Sequence, residues 1–391
     1  MAPHTWSHLG DTVSDTTHHM YYRGQRIKEA YYRGECIWRE EDSELIISFI
    51  ADYTRITSGT IPTVGAEIIG ENLSYSLNGG PHVPFNSGFF HFTSPIIQDV
   101  FKGNLVTISF YGKNVTLFRF AAVVNGVIGY NSTENRTITE ILTPFGKNCE
   151  KITSFAYLFR GCTSLKKLPK HLFANTPDVT DFTQAFRHCT SLESIPDDLF
   201  EGTHNVRIFR ECFDYCIRLK AIPDDLFGCT SKVTDLYLCF QSCRSLKTLP
   251  ENLFRSMTDI TEFRSVFVGC EALKDIPTNL FANNFNVVSF AGCFKYTYSL
   301  EHIPESLFEH NSKATNFNEC FRECRILDRI PERLFDNVSS IEYISSCFNG
   351  CASLEGDVPR LWERFQTSKH FNCFRGCTKT ANYSEIPSDW K

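Results

Sequence analysis

The stretch "ECFDYCIRLKAIPDDLF", residues 211–227, carries two cysteines four apart, one proline and a Leu-Phe pair. Taken alone, Cys212 and Cys216 suit a metal site, a redox couple or a packed core. The rest of the chain decides, because the stretch recurs. The second cysteine returns at Cys162, Cys189, Cys243, Cys270, Cys324 and Cys351, in steps of 27 residues or twice that. Thr297 fills the skipped position, and Cys377 comes one residue early. Proline keeps the same beat at Pro169, Pro196, Pro223, Pro250, Pro277, Pro304 and Pro331, then drifts by one at Pro359 and Pro387. A fixed period of this length marks a repeat array. Residues 150–391 hold eight to nine copies of the unit V-x-x-F-x-x-C-F-x-x-C-x-S-L-x-x-I-P-x-x-L-F.

Within the unit, Phe209, Cys212, Phe213, Cys216 and Leu219 fall at i, i+3, i+4, i+7 and i+10. That is the stripe of an amphipathic helix. Thr180, Thr234, Thr261 and Thr315 stand ahead of the stripe in other copies, where a helix N-cap would sit. The next segment, with Leu219 and Ile222 inward, reads as a short extended piece ended by a proline that cannot donate to a ladder. Pro-Asp-Asp-Leu-Phe then suits one tight turn. Each copy is therefore expected to form a short strand, a turn and a helix, and copies must stack because none can bury its stripe alone.

The first cysteine position carries Leu158, Ala185, Cys212, Cys239, Val266, Cys293, Cys320, Cys347 and Cys373. A metal ligand or redox partner cannot be exchanged for leucine, alanine or valine and keep its chemistry, whereas a small packed group can. The pair reads as core, and neither a metal nor a cofactor is expected.

Composition agrees with a large packed core and no polyanionic partner. The 391 residues include 35 phenylalanines and carry a net charge of −6, which gives no reason to expect nucleic acid or an anionic membrane. Each buried apolar side chain contributes roughly 1.5–3 kcal/mol of transfer energy. The 17 cysteines read as thiols of a non-secreted chain, because the first residues show neither a basic nor an apolar signal region. No apolar run is long enough to span a bilayer.

Ahead of the repeats, "YYRGQRIKEA" (21–30) and "YYRGECIWRE" (31–40) duplicate one another and read as two short hairpins. Residues 42–149 alternate as strands do, with turn signals at Asn78-Gly79 and at "YGKN", 111–114. A small sandwich-like or half-barrel domain is expected there. The organisation expected is an attachment module at 1–41, a β-rich capping domain at 42–149 and the repeat array with its C-terminal cap at 150–391.

No phosphate-binding, zinc-protease, nucleophile-elbow or dinucleotide motif is present. His18-His19 reads as part of a solvated tail, and Asp197-Asp198 and Asp224-Asp225 read as turn residues. No catalytic residue, and no enzyme, is expected. What the array offers is a surface. Lys166, Lys167, Glu193, Lys220, Lys247, Lys274, Glu301, Asp328 and Arg329 occupy matching outward positions and form a candidate ligand column. Tyr21, Tyr22, Tyr31, Tyr32 and Trp38 form a candidate assembly tether, since five large aromatics cannot be buried by so short a module alone.

The F-x-x-C-x-x-L-x-x-I core at Phe213, Cys216, Leu219 and Ile222 resembles the BspA-type leucine-rich repeat, over some 240 of 391 residues. It departs from that pattern in its I-P-x-x-L-F segment and its extra cysteine. The resemblance implies an α+β fold, a leucine-rich-repeat solenoid of eight to nine 27-residue coils preceded by a small all-β domain. It also implies the adhesive role of bacterial surface proteins. Gly24, Ile27, Tyr31, Tyr32, Gly34, Ile37 and Trp38 spell a pattern that resembles short modules of bacteriophage virion proteins, which assemble in the host cytoplasm and need no export signal. The expected function is a non-enzymatic virion structural protein (fibre, decoration or receptor binder). Its expected partners are other virion proteins at the front and a host surface protein or glycan at the solenoid, with homo-oligomers compatible. The alternatives are a bacterial surface adhesin and an intracellular interaction scaffold.

Overall fold

The computed structural model describes residues 45–52, 63–91, 104–124, 127–129 and 137–391, together with five backbone strands before residue 45. The chain divides into two compact units, residues 1–45 and 46–391.

In the first unit, β1 (Ser14–Asp15), β2 (Met20–Tyr22) and β3 (Gln25–Ile27) form an antiparallel sheet, with Tyr22 opposite Gln25. β4 (Glu29–Tyr32) pairs with β5 (Glu35–Arg39) in a second hairpin. The side chains of Tyr21, Tyr22, Tyr31, Tyr32 and Trp38, the candidate tether, lie outside the described residues.

The second unit opens with one open antiparallel sheet rather than two packed sheets. Its strands are β6 (Leu45–Asp52), β7 (Thr63–Leu77), β8 (Val83–Pro84), β9 (Gly88–His91), β10 (Leu105–Val124), β11 (Val127–Gly129) and β12 (Ile138–Ile141). They run in the order β12-β6-β10-β7-β8, with β9 on β7 and β11 on β10. Asn78 and Gly79 both take positive φ, 51° and 71°, and the Gly80 N–H donates to the Leu77 carbonyl, closing the turn after β7. The "YGKN" segment is no turn. It lies inside β10, where the pairing with β7 shifts register between Tyr111 and Leu117. At Gly112 a Cβ would stand 2.4 Å from Leu73 Cδ2, so a larger residue there would make the Leu73 side chain shift. The bulge lets one 20-residue strand bend where the sequence pattern suggests a reversal.

The aromatic core runs from the sheet into the repeats without a break. Phe118 packs edge-on to Phe145, and Phe145 stacks on Phe173 at 5.9 Å. β12 pairs with β6 through Ile141 and Phe49, and its Glu140 bridges in parallel to Lys167 of the first repeat.

Successive repeats then lie side by side in parallel. Asp181 bridges to Ile208 and Ile208 to Asp235; Glu262 bridges to Ser289, Ser289 to Asn316 and Asn316 to Tyr343, each 27 residues on. The expected helix does not form. Among the described residues the only α-helix is α1, Leu361–Arg364. Over the predicted helix, the N–H groups of Phe209, Glu211, Phe213 and Tyr215 donate at 2.8 Å to the carbonyls of Asp235, Tyr237, Cys239 and Gln241 in the next repeat. Between them, Cys212 and Cys216 close three-residue turns onto Phe209 and Phe213.

This path needs a left-handed residue every fourth position. Glu211 and Tyr215 take φ of 53° and 58°, and their counterparts Gln184, His188, Leu238 and Ser242 do the same, with glycine at Gly161 and Gly269. Each non-glycine costs roughly 1–2 kcal/mol in that region, and the hydrogen bonds to the neighbouring repeat offset it. Thr180, Thr234 and Thr315 are accordingly not helix caps; their N–H groups donate to Thr153, Arg207 and Val288 one repeat earlier. The proline turn is present, the Leu226 N–H donating to the Pro223 carbonyl.

The inward residues are those the stripe predicts. Phe209, Cys212, Phe213, Cys216 and Leu219 are fully buried. Phe186, Phe213, Phe240 and Phe267 form a near-parallel ladder with centroids 5.1, 5.4 and 5.8 Å apart. Phe173, Phe200, Phe227 and Phe254 form a second. At the far end the Phe374 N–H donates to the Trp390 carbonyl, and Trp390 is buried.

Sulfur adds something the apolar reading misses. The second cysteine of a repeat donates its S–H to the phenylalanine carbonyl of the repeat before. Cys189 reaches Phe159, Cys216 Phe186, Cys243 Phe213 and Cys270 Phe240, at 3.2–3.3 Å. At the skipped position Thr297 bonds the Phe294 carbonyl of its own repeat instead. A bond to the preceding repeat thus accompanies the recurrence of cysteine at this position, while the first position varies.

Burial pushes these thiols up, Cys149 and Cys377 to about 12, and thiolate is the reactive form. Among the described cysteines only Cys229 is half-buried; the other fifteen are buried. Among the described cysteines, alkylation of native protein at pH 8 is therefore expected to mark Cys229 first and the rest only on unfolding, as read by peptide mass spectrometry. Rapid labelling of Cys216 or Cys243 in folded protein would overturn that assignment.

Candidate ligand-binding surface

The extended segment ahead of each proline brings the predicted column together. The N–H of Lys220 donates to Glu193, Lys247 to Lys220, Lys274 to Lys247, Glu301 to Lys274 and Asp328 to Glu301, all through backbone carbonyls one repeat back. Their side chains point outward, where most are exposed. The column is far less charged than its sequence suggests, because neighbouring repeats neutralise each other. Lys220 pairs with Glu193 at 2.5 Å, Lys274 with Glu301 at 2.9 Å, Lys167 with Glu140 at 3.3 Å and His302 with Asp328 at 3.2 Å. The hydrogen bond from Lys220 holds the Glu193 carboxyl below its ordinary range, and the one Lys274 donates to Glu301 raises Lys274. Lys166, Lys247 and Arg329 have no carboxylate partner among the described residues.

A second column follows the bridged positions 208, 235, 262, 289, 316 and 343. Here the Tyr237 ring lies between the guanidinium groups of Arg210, at 5.1 Å, and Arg264, at 5.5 Å. Arg210 also pairs with Asp235 at 2.7 Å. Two open grooves, of 390 and 470 Å³, meet at Glu262 and Arg264, which line both. Sequence reasoning passed over this column, although Arg210, Tyr237 and Arg264 share one repeat position and are all large and polar.

A buried polar cluster lies nearby. Arg187 pairs with Glu211 at 2.6 Å, and its Nε faces Asp214 at 2.9 Å. That second contact is out of hydrogen-bonding alignment, so both Asp214 carboxylate oxygens, the Arg187 Nε and the Gln184 Oε1 lack a hydrogen-bond partner. The Asp214 side chain is 1% exposed. Burial pushes its carboxyl up to about 7, with the Arg187 charge opposing.

His171, Asp198 and Glu201 are the one group among the described residues with metal-ligand spacing. Glu201 meets His171 Nδ1 and Asp198 lies 3.4 Å from Nε2. Each carboxylate faces a different ring nitrogen of the imidazole. Among the described residues no helix is long and apolar enough to cross a membrane.

Residues 135–253 and 261–390 match the family described as "Mycoplasma protein of unknown function, DUF285". No curated protein matches the chain. One similar solved structure is described as "Crystal structure of TLR13-ssRNA13 complex"; the likeness has 11% identity and a TM-score of 0.14, and covers 53% of this chain and 41% of that one. So low a score carries no argument about fold or ligand. The two matched segments take in most of the repeat array and more than half of the chain, so this protein belongs to the DUF285 family, a family of BspA-like repeats.

Proposed function

We propose that the chain is a non-enzymatic binding protein. Its repeats form a leucine-rich-repeat solenoid of eight to nine coils that displays polar columns to a protein or glycan on a host cell. The front of the chain attaches it to a bacteriophage virion, where it serves as fibre, decoration or receptor binder. The observation that carries the binding half is register: matching positions of successive repeats lie side by side, 27 residues apart. A ligand therefore meets a row of side chains rather than an isolated one, which is how repeat arrays build extended binding surfaces. The attachment half is supported by the duplicated hairpin pattern and by the separate compactness of residues 1–45. A bacterial surface adhesin would share the first half and differ in what the front end holds.

Deleting residues 1–40 is expected to leave the thermal melt of the repeats in place and to remove the protein from purified particles. A truncated protein that still copurifies with particles, or is insoluble alone, sinks the tether. Charge reversal at Lys220, Lys247 and Lys274 is expected to leave assembly intact while weakening binding to host cells. Unchanged cell binding moves the ligand off that column.

A further inference from the structure

Arg264 differs in its pairing from Arg210, the other cation at its repeat position, and from Arg187, Lys295 and Arg322, which share another position. Arg187, Arg210, Lys295 and Arg322 each have a carboxylate within 3 Å. Arg264 has no carboxylate partner among the described residues, although it lines both grooves at their meeting point. Its guanidinium lies over the Tyr237 ring at 5.5 Å. That stacking fixes the face of the group and leaves its in-plane N–H donors for a ligand.

The surroundings narrow what the ligand can be. Ser265, Thr315, Asn316 and Asn318 line the larger groove, so hydroxyl and amide groups that both donate and accept dominate the wall. Such a lining suits a hydroxyl-rich molecule better than an apolar one. Most charges of the lining are taken up by ion pairs, Asp235 by Arg210 at 2.7 Å and Glu319 by Lys295 at 2.7 Å and by Arg322, which leaves Arg264 as the lining cation whose donors can meet an anionic group, beside Glu262. The two volumes, 390 and 470 Å³, each lie in the range of small-molecule sites, about 300–1,000 Å³. They follow one another along the repeats, whose bridged backbones are spaced as parallel strands are, roughly 4.8 Å. One sugar unit of a linear chain spans a similar length, so successive sugars would meet equivalent positions of successive repeats.

We propose that this groove binds an acidic oligosaccharide lying along the repeats, with Arg264 holding a sugar carboxylate and the Ser265–Asn318 wall bonding its hydroxyls. The proposal rests on the ligand-display reading above and names the chemistry of the ligand.

Full-length protein titrated calorimetrically with a hyaluronan tetrasaccharide and with sialyllactose is expected to bind at least one of them. Chitotetraose, a neutral chain, is expected to bind roughly tenfold more weakly or not at all, the loss of one charge-assisted bidentate contact. Arg264→Gln, at an exposed position, is expected to erase that preference, while Arg255→Gln, at an exposed cation paired with Asp225 and outside both columns, leaves it unchanged. Equal affinity for acidic and neutral sugars overturns the proposal. So do the absence of binding to both acidic sugars, a preference that survives Arg264→Gln, and equally tight binding of tetraglutamate. Cell binding that persists without any acidic-sugar binding sinks this proposal and leaves the display reading standing. Sugar binding by a protein that adheres to no host cell sinks the display reading alone.

Discussion

Phe213→Ala is expected to destabilise the repeats by about 3–5 kcal/mol, the usual cost of deleting a fully buried ring. The Phe213 ring stacks on Phe186 at 5.1 Å and on Phe240 at 5.4 Å, within 6° of parallel on both sides. Removing it opens a void between two neighbours rather than at one edge. Stability in a repeat array is largely a sum of such nearest-neighbour interfaces, so the loss falls on both. Asp225→Ala is the matching control. Asp225 is 61% exposed and pairs with Arg255 at 2.7 Å, a surface contact whose loss costs under about 1 kcal/mol. The measurement is the shift of the chemical denaturation midpoint at unchanged slope. Equal shifts for the two variants would mean that the inward and outward faces are assigned the wrong way round.

Asp214→Asn is expected to stabilise the protein at pH 8 and to leave it little changed at pH 4. The Asp214 carboxyl titrates near 7 in the folded chain because burial disfavours its charge, against about 3.9 in an unfolded one. Below about pH 4 both states hold the proton and the group contributes nothing. As pH rises toward 7 the unfolded state releases its proton first, so the folded state loses ground, and above 7 the full difference is present. At 1.36 kcal/mol per pKa unit, wild type is expected to lose about 2–4 kcal/mol relative to the asparagine variant across that interval. Arg187 keeps Glu211 at 2.6 Å as a partner in the variant, so the substitution strands no cation. Parallel pH dependences of the two melting temperatures would show that Asp214 ionises freely where it lies.

The candidate surface was legible as a position but not as a chemistry. Period alone places Lys220, Lys247 and Lys274 in one column, and the backbone ladder puts them there. Period does not say that Lys220 meets Glu193 and Lys274 meets Glu301, because that depends on which side chains face each other across a repeat boundary. Arg264 is the converse case. Its sequence neighbours Glu262 and Ser265 give no hint that it lacks a partner or rests on Tyr237, one repeat away. Asp214 hides for the same reason, its burial being supplied by other repeats.

By itself, the sequence determined which side chains turn inward. A 27-residue beat of apolar groups admits one buried set, and Phe209, Cys212, Phe213, Cys216 and Leu219 are that set. The same spacing left the backbone open between two forms. In an α-helix these N–H groups would bond four residues back within their own repeat. In the folded protein, those of Phe209, Glu211, Phe213 and Tyr215 bond to the next repeat instead, with Glu211 and Tyr215 turned left-handed to aim them. Both forms bury the same stripe, so apolar periodicity cannot separate them. Only a neighbour with carbonyls in register, held there by the phenylalanine ladders, makes the turned form the better-bonded one, and that neighbour exists only in the tertiary structure.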